Sequence, residues 1–210
     1  MDEKKHSYSG EGLDEKTADA DPLKLFQRWF DDARAAALPL PEAMTLATAT
    51  KDGRPSARLV LLKQMDKRGF VFYTNYGSQK ARELDANSQA ALVFYWPQLE
   101  RQVRVEGSVT RVTAAESDEY FQTRPRESQI GALASPQGEV ISGRDVLEQR
   151  FKELEEFYGD REIERPAHWG GYRLQPQRIE FWKGRPGRLH DRLLYELQTN
   201  GSWTIKRLAP

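Results

Sequence analysis

Arg188, His190 and Arg192 occupy every second position of Arg188-Leu-His-Asp-Arg192. On an extended strand alternate side chains share a face. This spacing therefore predicts two guanidiniums and an imidazole in a row, with Leu189 and Asp191 turned the other way. Such a row repels itself, and an anion held across it relieves the repulsion. Guanidinium offers a planar fork to phosphate, and an imidazole with an unperturbed pKa of about 6.5 donates a hydrogen bond or exchanges a proton. A solvated edge strand with scattered charge is the plain alternative. Trp182 before the Gly184-Arg-Pro-Gly187 turn, and Leu193-Leu194 after His190, favour a partly buried setting.

Three other stretches have chemistry to offer. Arg58-Leu59-Val60-Leu61-Leu62-Lys63 is apolar on both faces with a cation at each end, which predicts a central strand whose terminal charges sit at a sheet rim. Ser78-Gln79-Lys80 follows Phe72-Tyr73-Thr74-Asn75 and opens a helix. A Ser cap, first-turn amides and a lysine make a phosphate site there. Tyr120 and Arg124 lie one helical turn apart, and Pro125 starts a new helix with Ser128 in its first turn, a second phosphate cradle. Gln102, near the start of a strand, can hydrogen-bond a heteroaromatic ring. Each motif has a bland counterpart in solvated surface charge. There is no Walker loop, Gly-x-Gly-x-x-Gly turn or Ser-His-Asp pattern. Two anion cradles, several aromatics and one cationic His-bearing strand suit binding two phosphorylated ring compounds better than hydrolysis.

Composition narrows the field. The 210 residues carry 32 basic and 32 acidic side chains, so a whole-domain nucleic-acid footprint is not expected. Without cysteine there is no disulfide, thiol nucleophile or cysteine metal site, and His6, His168 and His190 lack metal-ligand spacing. No metal is expected, and no membrane span or hydrophobic leader is evident, so the expected location is the cytoplasm.

The elements that must position these residues read as follows. Residues 1–20 form a polar, flexible tail, and residues 21–210 a single domain. A helix starts at Asp21-Pro22, presents Leu23, Phe26, Phe30, Ala33 and Ala37, and stops near Leu38. Strands follow at 44–50, 56–63 and 70–74, with Asp52-Gly53 and Asp66–Gly69 as turns. A short helix covers 78–87, and strands run over 90–96 and 102–112. Helices occupy 114–133, broken at Pro125, and 143–158. The chain closes with strands at 171–174, 178–183, 188–198 and 203–208, the last two joined by Asn200-Gly201. The expected fold is mainly β with helices (α+β), an antiparallel barrel with peripheral helices.

Arg58 to Lys63, Phe72-Tyr-Thr-Asn75, Leu99-Glu-Arg-Gln-Val103, Arg124-Pro-Arg-Glu-Ser-Gln-Ile-Gly131, Trp169-Gly-Gly-Tyr-Arg173, Ile179-Glu-Phe-Trp182, Arg188 to Arg192 and the C-terminal Trp203 to Pro210 resemble, in this order, the pyridoxine/pyridoxamine 5'-phosphate oxidase family. The resemblance runs from about Asp21 to the last residue. It implies an FMN-binding split β-barrel acting as a homodimer, with FMN in clefts between subunits. By motif, FMN would be held by Arg58, Leu59, Val60, Leu61, Leu62, Lys63, Tyr73, Thr74, Gln79, Lys80, Gln102, Gln137, Gly138, Trp182 and Arg192. Arg58 and Lys80 would take its phosphate. Lys63, Tyr120, Arg124 and Ser128 would hold the substrate phosphate, and Arg188, Leu189 and His190, from the other subunit, would cover the substrate ring, with Tyr8 over it. Arg188 and His190 are the implied catalytic pair, orienting and polarising the substrate. The implied reaction oxidises pyridoxine or pyridoxamine 5'-phosphate to pyridoxal 5'-phosphate, with O2 reduced to H2O2. Three features depart from the family: Gln79 where an arginine is common, Gly138 where a serine is common, and Lys5-His6-Ser7-Tyr8, which only loosely resembles the family's Arg- and Glu-bearing segment before the tyrosine. A different split-barrel flavoenzyme, a flavin reductase or a nicotinamide-dependent reductase, and a non-catalytic FMN or pyridoxal-phosphate binder are the competing readings.

Overall fold

The computed structural model describes Tyr8 and residues 12–210. Helix α1 (Pro22–Ala35) starts where Asp21 accepts a hydrogen bond from the Leu23 amide at 2.9 Å with Pro22 in the first turn. It ends earlier than the expected Leu38, because Ala37 takes a positive φ of 50°. Its inner face is Leu25, Phe26, Trp29, Phe30 and Ala33. Phe26 meets Phe70 and Phe94 edge-on, each with ring centroids 4.9 Å apart. Burying one such ring stabilises by roughly 1.5–3 kcal/mol.

Nine strands follow in an antiparallel sheet. β1 (Ala43–Ala49), β2 (Pro55–Leu61), β3 (Gln64–Asp66) and β4 (Gly69–Asn75) precede helix α2 (Gln79–Ala86). Next come β5 (Gln89–Trp96), β6 (Arg101–Arg111), and helices α3 (Ala114–Gln122), α4 (Arg126–Ala134) and α5 (Arg144–Tyr158). β7 (Trp169–Lys183), β8 (Asp191–Leu197) and β9 (Trp203–Arg207) close the chain. The strand order is β2-β1-β5-β6-β7-β4-β3, with β8 on β7 and β9 on β8.

β2 is therefore last in its row, not central, and Leu59 on it is 72% exposed. Its second apolar face is not matched by a partner within the chain. Beyond β2 the backbone crosses to the opposite end of the sheet: the Leu62 amide donates to Glu42 O and the Lys63 amide to Val71 O, both at 2.9 Å. These two bonds curl the sheet into a split barrel. The three-residue β3, too short to show a period, has no counterpart in the expected strands.

β7 is one strand where two are expected. Its register against β6 shifts between Glu106↔Arg178 and Gly107↔Pro176, leaving Gln177 as an extra residue. Core-facing residues change parity there: Tyr172 and Leu174 before it, Ile179 and Phe181 after it. Gly107 is required at the crossing, since a Cβ would lie 1.9 Å from Gln175 O. The core fills the barrel beneath α1, and a smaller cluster around Phe121, Ile130, Ile163 and Trp169 packs α3 and α4 on the side.

Candidate active site

The candidate residues gather in two places. The first is a cleft of about 430 Å³ lined by Leu59, Val60, Leu61, Lys63, Tyr73, Thr74, Lys80, Tyr120, Arg124, Ser128 and Gln137. Leu62, just past the end of β2, is buried in the core instead. Trp169 and Asn75 also line the cleft, although neither is singled out from sequence. The back wall is a ladder of rings: Tyr73 stacks on Tyr120 at 4.0 Å and on Trp169 at 5.3 Å, with interplanar angles of 16° and 9°.

One end of the cleft is the junction of α3 and α4. Arg124 lies over the Trp169 ring at 4.5 Å, and its Nη1 is buried without a hydrogen-bond partner. Burial pushes its pKa down. Ser128 sits at the third position of α4, one turn past the cap at Pro125. A buried guanidinium nitrogen with no acceptor beside a lysine, a tyrosine and a serine is suited to receive an oxyanion.

The other end is the start of α2. Ser78 holds the cap position, but its side chain makes no capping bond, and its Oγ is buried and unpartnered. Lys80 Nζ donates to Thr74 Oγ1 at 3.3 Å, and Thr74 Oγ1 donates to Gln137 Oε1 at 3.1 Å. Burial first, and the nearby Arg58 charge second, hold the Lys80 pKa below its ordinary value. Two cations near a helix N-terminus with an orphan hydroxyl fit a phosphate dianion. Gly138 approaches the same turn with a φ of 91°, a conformation that favours glycine over the serine common in the family.

Arg58 does not line the cleft. Its guanidinium is held from behind by Thr48 and Ser56, both at 2.5 Å, and by Glu83 at 3.3 Å. Gln79 is turned the same way, donating to Glu83 at 2.8 Å. Glu83 is the hub of this network and has no signature in the sequence. Burial alone would raise its carboxyl pKa. Hydrogen bonds from Ser56, Thr48 and Gln79 and the Arg58 charge outweigh that and bring it to about 2. A depressed carboxylate stabilises the fold fully above the unfolded value and loses that contribution as pH falls through the folded one. Glu83→Gln is thus expected to cost about 1–3 kcal/mol at pH 7, with the difference from wild type shrinking between pH 4.5 and 2. Urea unfolding at several pH values checks this, and an equal loss at all pH values would contradict it.

The second place is the turn after β7. Trp182 and the His190 ring lie 4.7 Å apart, and Tyr8 meets both edge-on, at 6.0 and 5.0 Å. The Arg185 amide donates to His190 Nδ1 at 3.1 Å, which leaves Nε2 to carry the proton of the neutral ring. Gln102 stands across the ladder from Trp182. Arg192 donates to Glu180 at 2.8 Å and to Ala209 O at 2.9 Å.

The expected shared face of Arg188, His190 and Arg192 is not formed. Pro186-Gly187-Arg188 is a single 3-10 turn with Arg188 at a φ of 62°, and β8 begins only at Asp191. Strand alternation therefore has no hold on Arg188. Leu189 beside it is 74% exposed.

None of Tyr8, Trp182, Arg188 and His190 lines the cleft. Trp169 and Trp182 stand at opposite ends of β7, roughly 40 Å apart along the strand. One chain thus carries two candidate half-sites, at opposite ends of β7.

A family model described as "Pyridoxamine 5'-phosphate oxidase" matches residues 30–158, and one described as "Pyridoxine 5'-phosphate oxidase C-terminal dimerisation region" matches residues 169–210. The chain belongs to the pyridoxamine 5'-phosphate oxidase family. Family proteins named pyridoxine/pyridoxamine 5'-phosphate oxidase are 57% identical to it in Trichormus variabilis, over 97% of this chain and 95% of that one, and 57% identical in Rubrobacter xylanophilus, over 98% and 94%. Among solved structures, PhzG from Burkholderia lata in complex with tetrahydrophenazine-1-carboxylic acid superimposes with a TM-score of 0.91 at 32% identity, covering 97% of this chain and all of that one. A pyridoxamine 5'-phosphate oxidase-related FMN-binding protein from Nostoc punctiforme shares the fold, with a TM-score of 0.73 at 18% identity over 92% of this chain. The family's dimerisation region coincides with β7 to β9, the part that carries the second half-site. No helix among the described residues is long and apolar enough to cross a membrane.

Proposed function

We propose that the protein is an FMN-dependent oxidase that converts pyridoxine 5'-phosphate and pyridoxamine 5'-phosphate to pyridoxal 5'-phosphate, working as a homodimer. The observation that carries this reading is one cleft with Arg124, its Nη1 unpartnered, at one end and Lys80 at the other, where α2 starts beside the buried, unpartnered Ser78 Oγ. That arrangement fits two phosphorylated ring compounds lying together. The names of relatives at 57% identity support it.

Bound flavin would supply the two-electron acceptor, with dioxygen restoring it and leaving hydrogen peroxide. The chain's own residues bind, orient and shield. Lys80 and the α2 amides take the cofactor phosphate, with Arg58 behind them, fixed by Glu83. Lys63, Tyr120, Arg124 and Ser128 take the substrate phosphate. Arg188 and His190, supplied by the second subunit, cover the substrate ring. His190, with Nδ1 occupied by the Arg185 amide, presents Nε2–H as a donor. Holding two rings in reactive register is a large share of such catalysis.

The likeness to PhzG supports a second reading, oxidation of a reduced phenazine acid. Anaerobic titration of the FMN-loaded protein separates the two. Bleaching of the flavin by pyridoxine 5'-phosphate, with colour restored by air, is the expected result. Bleaching by a tetrahydrophenazine carboxylic acid alone would establish the second reading, and a protein that takes up no FMN would remove both.

A further inference from the structure

The two ends of the chain are fastened together beside His190. The Arg207 guanidinium donates to Leu13 O at 2.9 Å, to Asp191 at 2.8 Å and, through Nε, to Glu15 at 2.9 Å. Asp191 in turn accepts from the Leu13 amide at 3.0 Å. Both polar backbone groups of Leu13 are thus taken by β8 and β9, while its side chain, 8% exposed, enters the main core. Gly12 lies so close that a Cβ there would sit 3.1 Å from Asp191 Oδ2. Tyr8, four positions before Gly12, rests on His190, on Trp182 and on the Gly184 backbone, where a Cβ would come within 2.3 Å of the Tyr8 ring.

We infer that Arg207, with Glu15 and Asp191, is a positioning residue for the proposed oxidation: it clasps the chain at Leu13 and so delivers Tyr8 onto His190. The inference rests on the oxidase reading for its functional consequence and on geometry alone for the clasp. Tyr8 lies eleven positions before Asp19, the next point fixed by a hydrogen bond, in which Tyr195 donates to Asp19 O at 2.8 Å. Local concentration falls as about the −3/2 power of tether length, so shortening the tether from eleven residues to five raises Tyr8 at His190 about threefold. Arg207 acts through Tyr8 and does not itself need to touch substrate. Glu15 supplies the second carboxylate to Arg207. That pair is solvent-exposed, so salt should loosen it.

The test combines two readouts. Arg207→Met in the FMN-loaded enzyme is expected to raise KM for pyridoxine 5'-phosphate about threefold with kcat little changed, and Arg207→Lys to recover part of the loss. In a Tyr8→Ala background the same substitution should add nothing; additive effects would overturn the route through Tyr8. Independently of turnover, amide exchange at Leu13 in flavin-free protein should quicken in Arg207→Met and, in the same direction, in the surface variant Glu15→Gln. Unchanged exchange at Leu13 would overturn the clasp. Faster exchange in a protein whose wild type does not oxidise pyridoxine 5'-phosphate would overturn the oxidase reading alone and keep the clasp.

Discussion

Arg124→Met is expected to raise KM for pyridoxine 5'-phosphate by at least about 100-fold while making the ligand-free protein slightly more stable. The two effects have one cause. Arg124 Nη1 is buried with no acceptor, stacked beside Trp169. An unmet buried donor costs about 1–3 kcal/mol, partly offset by about 0.5–1 kcal/mol from the ring beneath it. Methionine keeps most of the volume and the contact with Trp169 and removes the unmet donor. The net gain of about 1 kcal/mol corresponds to roughly 2–4 °C in melting temperature for a chain of this size. In the complex the balance reverses, because the substrate phosphate would lose the partner of a buried charge pair, about 3–5 kcal/mol. Calorimetry of the apoprotein and steady-state kinetics of the FMN-loaded enzyme read the two effects separately. A fall in melting temperature would make Arg124 structural, and an unchanged KM would move the substrate phosphate elsewhere.

Mixing two inactive variants should restore activity. Arg124→Ala disables the cleft, and Arg188→Ala disables the turn after β7. If each site joins the cleft of one protomer to the turn of its partner, a mixed dimer has one site with both residues intact and one with neither. After unfolding and refolding an equimolar mixture, half the dimers are mixed and one site in each works, so activity should reach about a quarter of wild type. Refolding each variant alone is the control. No recovery would place Arg124 and Arg188 of the same chain in one site, against their separation along β7.

The parts of this architecture that depend on neighbours in sequence are the parts that sequence reveals. Asp21-Pro22 starts α1, Pro125 divides α3 from α4, and Asp52-Gly53 and Asn200-Gly201 turn the chain where a positive φ is needed, 88° at Gly53 and 83° at Gly201. The grouping of Tyr120, Arg124 and Ser128 at one cleft follows from the same local signals, while Lys63 joins them only through the family resemblance. What depends on distant partners is not legible. An apolar run such as Leu59 to Leu62 looks the same whether it is covered by this chain or by another, so the terminal place of β2 stays hidden. Alternation at Arg188 fails because the residues between Lys183 and Asp191 form a loop with a 3-10 turn over Pro186–Arg188, so the strand begins only after Arg188. Glu83 escapes because one glutamate in an amphipathic helix carries no mark of the four donors, on two other elements and its own, that converge on it.

The extra residue at Gln177 bears on how this protein can change over generations. Trp169 and Trp182 are separated by an odd number of positions, and one bulged residue between them returns both to the face away from the core. Deleting a residue of β7 outside the bulge, or adding one, would bring one end of the strand inside out and expel either Tyr172 and Leu174 or Ile179 and Phe181 from the interior, whereas loss of Gln177 itself would leave a regular ladder with the same faces. Because a candidate half-site adjoins each end of the strand, a flip at either end would reach one of them. Drift in length should therefore be confined to loops such as residues 136–143, where Val140 is fully exposed, while β7 outside its bulge varies by substitution only.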